Sequence, residues 1–344
     1  MNFMQNDIFE KLGNNLFKRL DFKNFDSNEL KKMLFKMLLI RIAEEKISEN
    51  VENGIIKCPC HLAIGQEAIP TAISQLVEKN DKIFGAHRSH GHYLSLNLDT
   101  FSLFAEVLGK VDGCSSGFGG SMHTIDIKNN FFGSVPIVGA TIPIATGAAL
   151  ANKFDKNGSI AVSYFGDGAC EEGVLHESLN LASTMKLPVL YVCENNLFSS
   201  HLRIDLRQPD LFTSRFAKAH KVKSIVIDGN NVLELTKTLK NLISKIRKDP
   251  EPLFVEAITY RWKGHVGHRD DIDVGVKRSE DLKFWKSKCP IKRLTEGMIK
   301  NNLVSENEIL EIKNEINHKV DSDWQKALES KFPTDNLLLE KVYS

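Results

Sequence analysis

Gly166-Asp167-Gly168 follows one short apolar run, Ser159 to Phe165, and Asn195-Asn196 follows the next, Pro188 to Glu194. The two tips lie roughly thirty residues apart, the length of one strand–helix–strand unit. Residues that end successive parallel strands lie side by side, so Asp167 and Asn196 can meet one divalent cation. A carboxylate oxygen, an amide oxygen, a nearby backbone carbonyl, two diphosphate oxygens and water then complete an octahedral magnesium shell. The glycines beside Asp167 permit a sharp turn and a close ligand approach. The backbone amides that follow can face a phosphate. Taken alone, the Gly-Asp-Gly tripeptide reads as a simple turn. The asparagine pair one unit later turns it into a cation site.

The elements that must position these tips are legible from periodicity. Leu175, Leu179, Ala182 and Met185 mark one face of a helix between the two runs. Ile225 to Ile227 reads as a further strand, Leu235, Leu239, Leu242 and Ile246 as a helix, and Leu253 to Trp262 as another strand. Strands alternating with amphipathic helices imply a parallel sheet with helices on both faces. Such a sheet binds ligands beyond the carboxyl ends of its strands, which directs attention to the residues after Phe165, Glu194 and Trp262. Upstream, Asp26 and Glu29 form a capping box ahead of Leu30, Met33, Leu34, Met37 and Leu38, which predicts a helix. Ser305 and Glu308 repeat that signature ahead of Ile309, Ile312 and Ile316.

Composition narrows the function. The 344 residues carry 45 Lys and Arg against 44 Asp and Glu, a balance that disfavours a nucleic-acid partner. Apolar runs are too short for a bilayer span. The N-terminus lacks a signal-peptide core, and Asp7, Glu10 and Asp21 argue against an organelle transit peptide, so a cytoplasmic location is expected. The six cysteines match no zinc spacing and read as reduced thiols, several of them buried. His90, His92 and His123 each accompany a glycine turn rather than form a metal cage. The glycines from Gly133 to Gly147 do not give the GxGxxG of a nicotinamide-binding enzyme.

The stretch GDGACEEGVLHESLNLASTMKLPVLYVCENN resembles the thiamine-diphosphate motif in alpha subunits of pyruvate, acetoin and branched-chain 2-oxo acid dehydrogenases. HLAIGQEAI from His61, HRSHGH from His87, GFGGSMH from Gly117, IVGATIPIATGAALA from Ile137 and YRWKGH from Tyr260 extend the resemblance from about His61 to about Ile291. It implies an α/β thiamine-diphosphate-binding fold with a central, mostly parallel sheet. It implies magnesium at Asp167, Asn196 and the carbonyl of Phe198. Arg88 and Arg261 would grip the diphosphate, as guanidinium forks suit phosphate oxygens. Gly166 and His87 would also belong to the cofactor-binding set, and Gly168 and Ala169 would add backbone amides. The backbone near Pro136 and Val138 would bond the aminopyrimidine ring. His265 would stand between diphosphate and substrate as a catalytic residue, and His61 would line the substrate side.

The family supplies a carboxylic acid to the pyrimidine from a separate beta subunit. The resemblance therefore implies an alpha2beta2 heterotetramer and a chain that is catalytically incomplete alone. The implied reaction is oxidative decarboxylation of a 2-oxo acid, or cleavage of acetoin, with acyl transfer to the lipoyl group of an acyltransferase. A binding or regulatory subunit without turnover and a relative with a non-lipoyl acceptor are the alternatives. The expected organisation is an extension over residues 1–30, the dehydrogenase domain over 31–320 and a tail over 321–344. Four positions depart from the family pattern. His87 replaces a tyrosine usual in the pyruvate enzymes, as in acetoin-type relatives. Phe118 stands where a basic residue is common. LFSSH after Asn196 replaces a Gly- and Tyr-containing turn. Val266 replaces the serine that regulated relatives phosphorylate.

Overall fold

The computed structural model describes residues 16–272 and 278–342. The start of the expected N-terminal extension and part of the Gly264–Gly275 loop lie outside the described residues. In chain order the helices and strands of the first half are α1 (Ser27–Glu52), α2 (Ala68–Ser74), β1 (Lys82–Gly85), α3 (His90–Asn97), α4 (Thr100–Val107), β2 (Phe131–Ser134), α5 (Thr141–Asp155), β3 (Ala161–Gly166) and α6 (Gly173–Met185). There follow β4 (Val189–Asn195), β5 (Phe198–Ser199), β6 (Leu202–Arg203), α7 (Ser214–Ala219), β7 (Lys223–Asp228), α8 (Val232–Lys248) and β8 (Leu253–Ile258). Four helices complete the chain: α9 (Ser279–Ser287), α10 (Pro290–Lys300), α11 (Glu306–Glu329) and α12 (Asp335–Val342).

Six strands form one sheet in the order β2-β1-β3-β4-β8-β7, and every neighbouring pair is parallel. Alternation along each strand divides the core between the two faces, because successive side chains point oppositely. Val162, Tyr164, Leu190, Val192, Val255 and Ala257 pack with α1, α8 and α11 on one face. Ala161, Phe165, Val189, Tyr191, Cys193 and Phe254 pack with α5 and α6 on the other. The α/β reading with helices on both faces therefore holds. The chain passes from β1 outward to β2, then crosses back to β3. That reversal opens a crevice beyond the carboxyl ends of β1 and β3, where such sheets bind ligands.

Local signals set several boundaries. Both expected capping boxes form: Asp26 with Glu29 opens α1, and Ser305 with Glu308 opens α11. Helix α11 runs on to Glu329 and buries Trp324. One expectation needs correction: the strand read over Leu253 to Trp262 ends at Ile258. Its neighbour β7 ends at Asp228, and Gly229 turns back to donate to the Ile258 carbonyl. The Trp262 amide instead bonds the carbonyl of Ile64, which draws Tyr260–Trp262 out of the sheet toward the segment after His61. Among the described residues no helix is long and apolar enough to cross a membrane.

Candidate active site

Strands β3 and β4 run in register with Gly166 opposite Glu194, so Asp167 and Asn196 project from adjacent tips. Asp167 is buried, and one of its carboxylate oxygens pairs with Arg207. The other, Oδ1, is buried with no hydrogen-bond partner among the described residues. Burial pushes this carboxyl up, and Arg207 acts against that shift. A buried carboxylate oxygen without a donor costs free energy until something positive meets it. Asn196 is held by a 3.4 Å bond from its Nδ2 to Gln66 Oε1, and its Oδ1 accepts from the Phe198 amide at 3.2 Å.

The LFSSH departure leaves a mark on the backbone. Leu197 sits at φ 68°, a left-handed conformation that costs a residue with a Cβ roughly 1 kcal/mol. Two bonds hold it there: its amide to Asn195 Oδ1 at 3.0 Å and its carbonyl to the Ile204 amide at 2.9 Å. Phe198 and Ser199 then pair with Arg203 and Leu202 in a short antiparallel ribbon that folds over Gly168. A Cβ at Gly168 would lie 2.5 Å from Ser199 Oγ and 2.8 Å from its Cβ. Gly168→Ala is therefore expected to push the ribbon, and Phe198 with it, away from the Asp167 tip. The expected cost is about 1–3 kcal/mol in stability, together with weaker cofactor binding, both read by thermal melts with and without thiamine diphosphate. Equal melts for the two proteins in both conditions would contradict the close packing.

Three buried guanidiniums cluster nearby, two of them, Arg261 and Arg278, within 6.0 Å of the Phe198 ring. Arg88 makes its bonds to carbonyl oxygens, Leu62 at 2.7 Å and His265 at 3.2 Å. Arg261 donates to the carbonyls of Lys263 at 3.1 Å and Ser200 at 2.5 Å. Its nearest carboxylate, Asp271, stands 3.8 Å away. Arg278 bonds the carbonyls of Arg261, Asp270 and Lys263 and the Tyr260 hydroxyl. Burial, then the neighbouring Arg88 and Arg278 charges, bring Arg261 down to about 9. Arg88 is brought down to about 10, chiefly by burial. Crowded cations with backbone partners are a receptor for a polyanion, and a diphosphate fits them.

His61, His87 and His265 close the crevice. Their rings lie 4.8, 5.0 and 5.7 Å apart, edge to face. The candidate ligand nitrogens fall within 4.8 Å of one another, but the adjacent Arg88 and Arg261 charges oppose a cation there. Burial first, then Arg88, holds His61 down to about 2, His87 to about 3 and His265 to about 4, against an ordinary 6.5. All three are neutral at physiological pH. Each folded-state value lies below the unfolded one. As pH falls from about 6.5 toward 4, the unfolded chain binds protons that the folded chain refuses, and stability drops. The melting temperature of the unliganded chain should thus fall less steeply between pH 7 and pH 5 in His61→Gln than in wild type. Identical slopes would remove His61 from the buried cluster.

The remaining expected residues are more dispersed. Ala169 is buried beside Asp167, Gly166 ends β3, Pro136 is half-buried, and Val138 is exposed together with Ile137. His90 bonds Ser121, His92 bonds Glu194 and stacks on Tyr164, and exposed His123 bonds the Gly119 carbonyl. Phe118 and Val266 are both exposed. Periodicity and motif reading missed Arg278 and Asp271, and also Arg207 and Gln66, whose partners lie far off in sequence. Arg207 pairs with Asp167 across 40 positions and Gln66 with Asn196 across 130. Glu106 was missed too, although a lone acid just ahead of a glycine-rich loop is a weak signal for an amide-binding anchor.

The family model described as dehydrogenase E1 component matches residues 35–336. A pyruvate dehydrogenase E1 component subunit alpha of Rickettsia bellii is 32% identical over 310 residues, covering 89% of this chain and 93% of the relative. A chloroplastic pyruvate dehydrogenase E1 component subunit alpha-3 of Oryza sativa is 33% identical, covering 90% and 74%. The corresponding subunit of Rhizobium meliloti is 31% identical, covering 82% and 80%. With similarity along most of its length, the chain belongs to the dehydrogenase E1 component family, as an alpha subunit of a thiamine-diphosphate-dependent 2-oxo acid dehydrogenase.

Proposed function

We propose that this chain, together with a separate beta subunit, decarboxylates a 2-oxo acid of the pyruvate class and passes the acyl group to a lipoyl acceptor. Magnesium would be held by Asp167, Asn196 and the Phe198 carbonyl. The observation that carries the reading is the buried Oδ1 of Asp167, without a partner among the described residues, at the tip of β3 beside Asn196 at the tip of β4. A cation there satisfies that oxygen and ties the strand tips to a diphosphate.

Thiamine diphosphate, when bound, supplies the nucleophilic carbon and the electron sink that decarboxylation requires. The chain's own residues would bind, orient and shield. Arg88 and Arg261 neutralise the diphosphate, with Gly168 and Ala169 amides beside them. Residues near Pro136 and Val138 offer backbone groups to the pyrimidine. His265 is anchored through its own amide, which donates to Asp271 Oδ2 at 2.7 Å. Its neutral imidazole can accept or donate one proton without first shedding charge. His61 and His87 present two more neutral rings to a substrate carboxylate or carbonyl.

The acid that activates the pyrimidine would come from the beta subunit. Ile137, Val138 and Ile144 support that docking, since they expose apolar side chains where the pyrimidine backbone contacts are expected. The test is co-expression with the adjacent beta-subunit gene, then a substrate panel with an artificial electron acceptor, followed by a lipoylated domain. Turnover of pyruvate or a close homologue is expected. Activity on acetoin alone would overturn the decarboxylase reading. Cofactor binding without turnover of any substrate would favour a non-catalytic subunit.

A further inference from the structure

We propose that Cys58 and Cys60 form an oxidation-sensitive dithiol that a hydroperoxide converts to a disulfide, slowing the enzyme by shifting the segment that carries His61. The two Sγ atoms lie 3.8 Å apart across a single exposed proline, Pro59. Cys58 is half-exposed and Cys60 is buried, so an oxidant reaches one thiol while the other waits behind it. That is the arrangement of an attacking and a resolving cysteine.

A second thiol pair sharpens the choice. Cys170 and Cys193 are as close, at 3.7 Å, but both are fully buried. Burial also pushes the Cys193 thiol well up, which removes its thiolate. Proximity is thus equal at the two places, and accessibility differs. At the Cys58–Cys60 pair, the hydrogen bond from Cys60 lowers the Cys58 thiol, which favours its thiolate.

The chemistry balances. The Cys58 thiolate attacks the peroxide's terminal oxygen and the O–O bond breaks. This gives a sulfenic acid on Cys58, and the expelled hydroxide, or alkoxide from an organic peroxide, takes a proton from solvent to leave as water or alcohol. The Cys60 sulfur then attacks the Cys58 sulfur, the S–O bond breaks, and the leaving hydroxide takes the Cys60 proton as a second water. The two thiols lose two electrons in all, and the peroxide gains them.

Backbone bonds link this dithiol to the site. The Cys60 carbonyl accepts from the Gly267 amide at 2.8 Å, two residues after His265. The next residue is His61, whose amide donates to Ser121 Oγ at 3.3 Å. Closing a ring through Cys58, Pro59 and Cys60 must re-aim the Cys60 peptide, and with it His61 and the anchor of the His265 loop.

The experiment uses the chain assembled with its beta partner, reduced and then given a few equivalents of hydrogen peroxide. Alkylation under denaturing conditions and tryptic mapping follow. Cleavage after Lys57 and Lys79 yields one peptide that contains both Cys58 and Cys60 and no other cysteine. That peptide should be unalkylated and short by two hydrogens, while Cys170 and Cys193 remain alkylated. Turnover should fall on the order of tenfold to a hundredfold, as expected for a small misplacement at a reacting site, and dithiothreitol should restore it. Cys58→Ser should keep the basal rate and lose the sensitivity. Cys60→Ser should instead accumulate a sulfenic acid at Cys58 that dimedone traps. Full alkylation of both residues after peroxide would overturn the dithiol. A complete disulfide with undiminished turnover would overturn the coupling. The activity arm rests on the reading proposed above, whereas the mapping does not, so the two failures are distinguishable.

Discussion

Asp167→Asn is expected to remove magnesium-dependent binding of thiamine diphosphate while leaving the fold in place. The substitution keeps the shape and deletes the charge at a strand-tip carboxylate whose Oδ1 has no partner among the described residues. Loss of a buried anionic ligand to a cation should weaken binding by at least about a hundredfold to a thousandfold, roughly 3–4 kcal/mol. The fold should tolerate the change because Arg207 retains Glu171 as an ionic partner. Calorimetric titration of cofactor at fixed magnesium reads the first effect. Far-ultraviolet circular dichroism and the melting temperature read the second. Unchanged affinity with unchanged magnesium dependence would remove Asp167 from the cation site. Arg261→Ala should weaken binding less, because Arg88 and the local amides still face the diphosphate.

Glu106→Ala should have the largest structural effect. Glu106 is fully buried at the end of α4, and its two carboxylate oxygens accept four backbone amides. Ser115 and Gly117 bond Oε2 at 2.6 and 3.0 Å, and Gly119 and Gly120 bond Oε1 at 2.7 and 3.0 Å. This one side chain therefore folds the loop from Gly113 to Gly120. Removing it strands four donors at about 1 kcal/mol or more each, so a loss of roughly 4 kcal/mol is expected. The loop leads into Ser121, which touches both the His61 amide and His90, so turnover should fall as well. Hydrogen exchange should speed up at residues 113–121, and thermal melts should shift down. Glu106→Gln should fall between the two, because it keeps one carbonyl oxygen and turns an amide donor toward two others. Protection at wild-type level in Glu106→Ala would show that the loop is held by something else.

Much of the scaffold was legible because its causes are local. A capping box needs residues three apart, so Asp26 with Glu29 and Ser305 with Glu308 announced α1 and α11 without tertiary information. The apolar runs before Gly166 and Asn195 announced β3 and β4, and their spacing placed the two tips side by side. The four-residue strands β1 and β2 were too short to stand out, although they complete the switch point. The reading of Leu253 to Trp262 as one strand ran long because Thr259, Tyr260 and Trp262, β-branched or aromatic, keep strand propensity past Ile258. Where β8 stops depends on β7, and no property of Tyr260 or Trp262 reveals where a neighbour ends.

The amino-acid sequence by itself determined the alternation of strands and helices, the pairing of Asp167 with Asn196 at two neighbouring strand ends, and the family. Each of these is carried by short-range pattern or by motifs in fixed order. Only the tertiary structure decided that Arg88, Arg261 and Arg278 crowd one crevice, that three histidines are held neutral beside them, and that Glu106 gathers four amides. These depend on which distant groups share a buried space. Desolvation and Coulomb interactions act through that space, and a linear chain does not encode its distances in spacing alone.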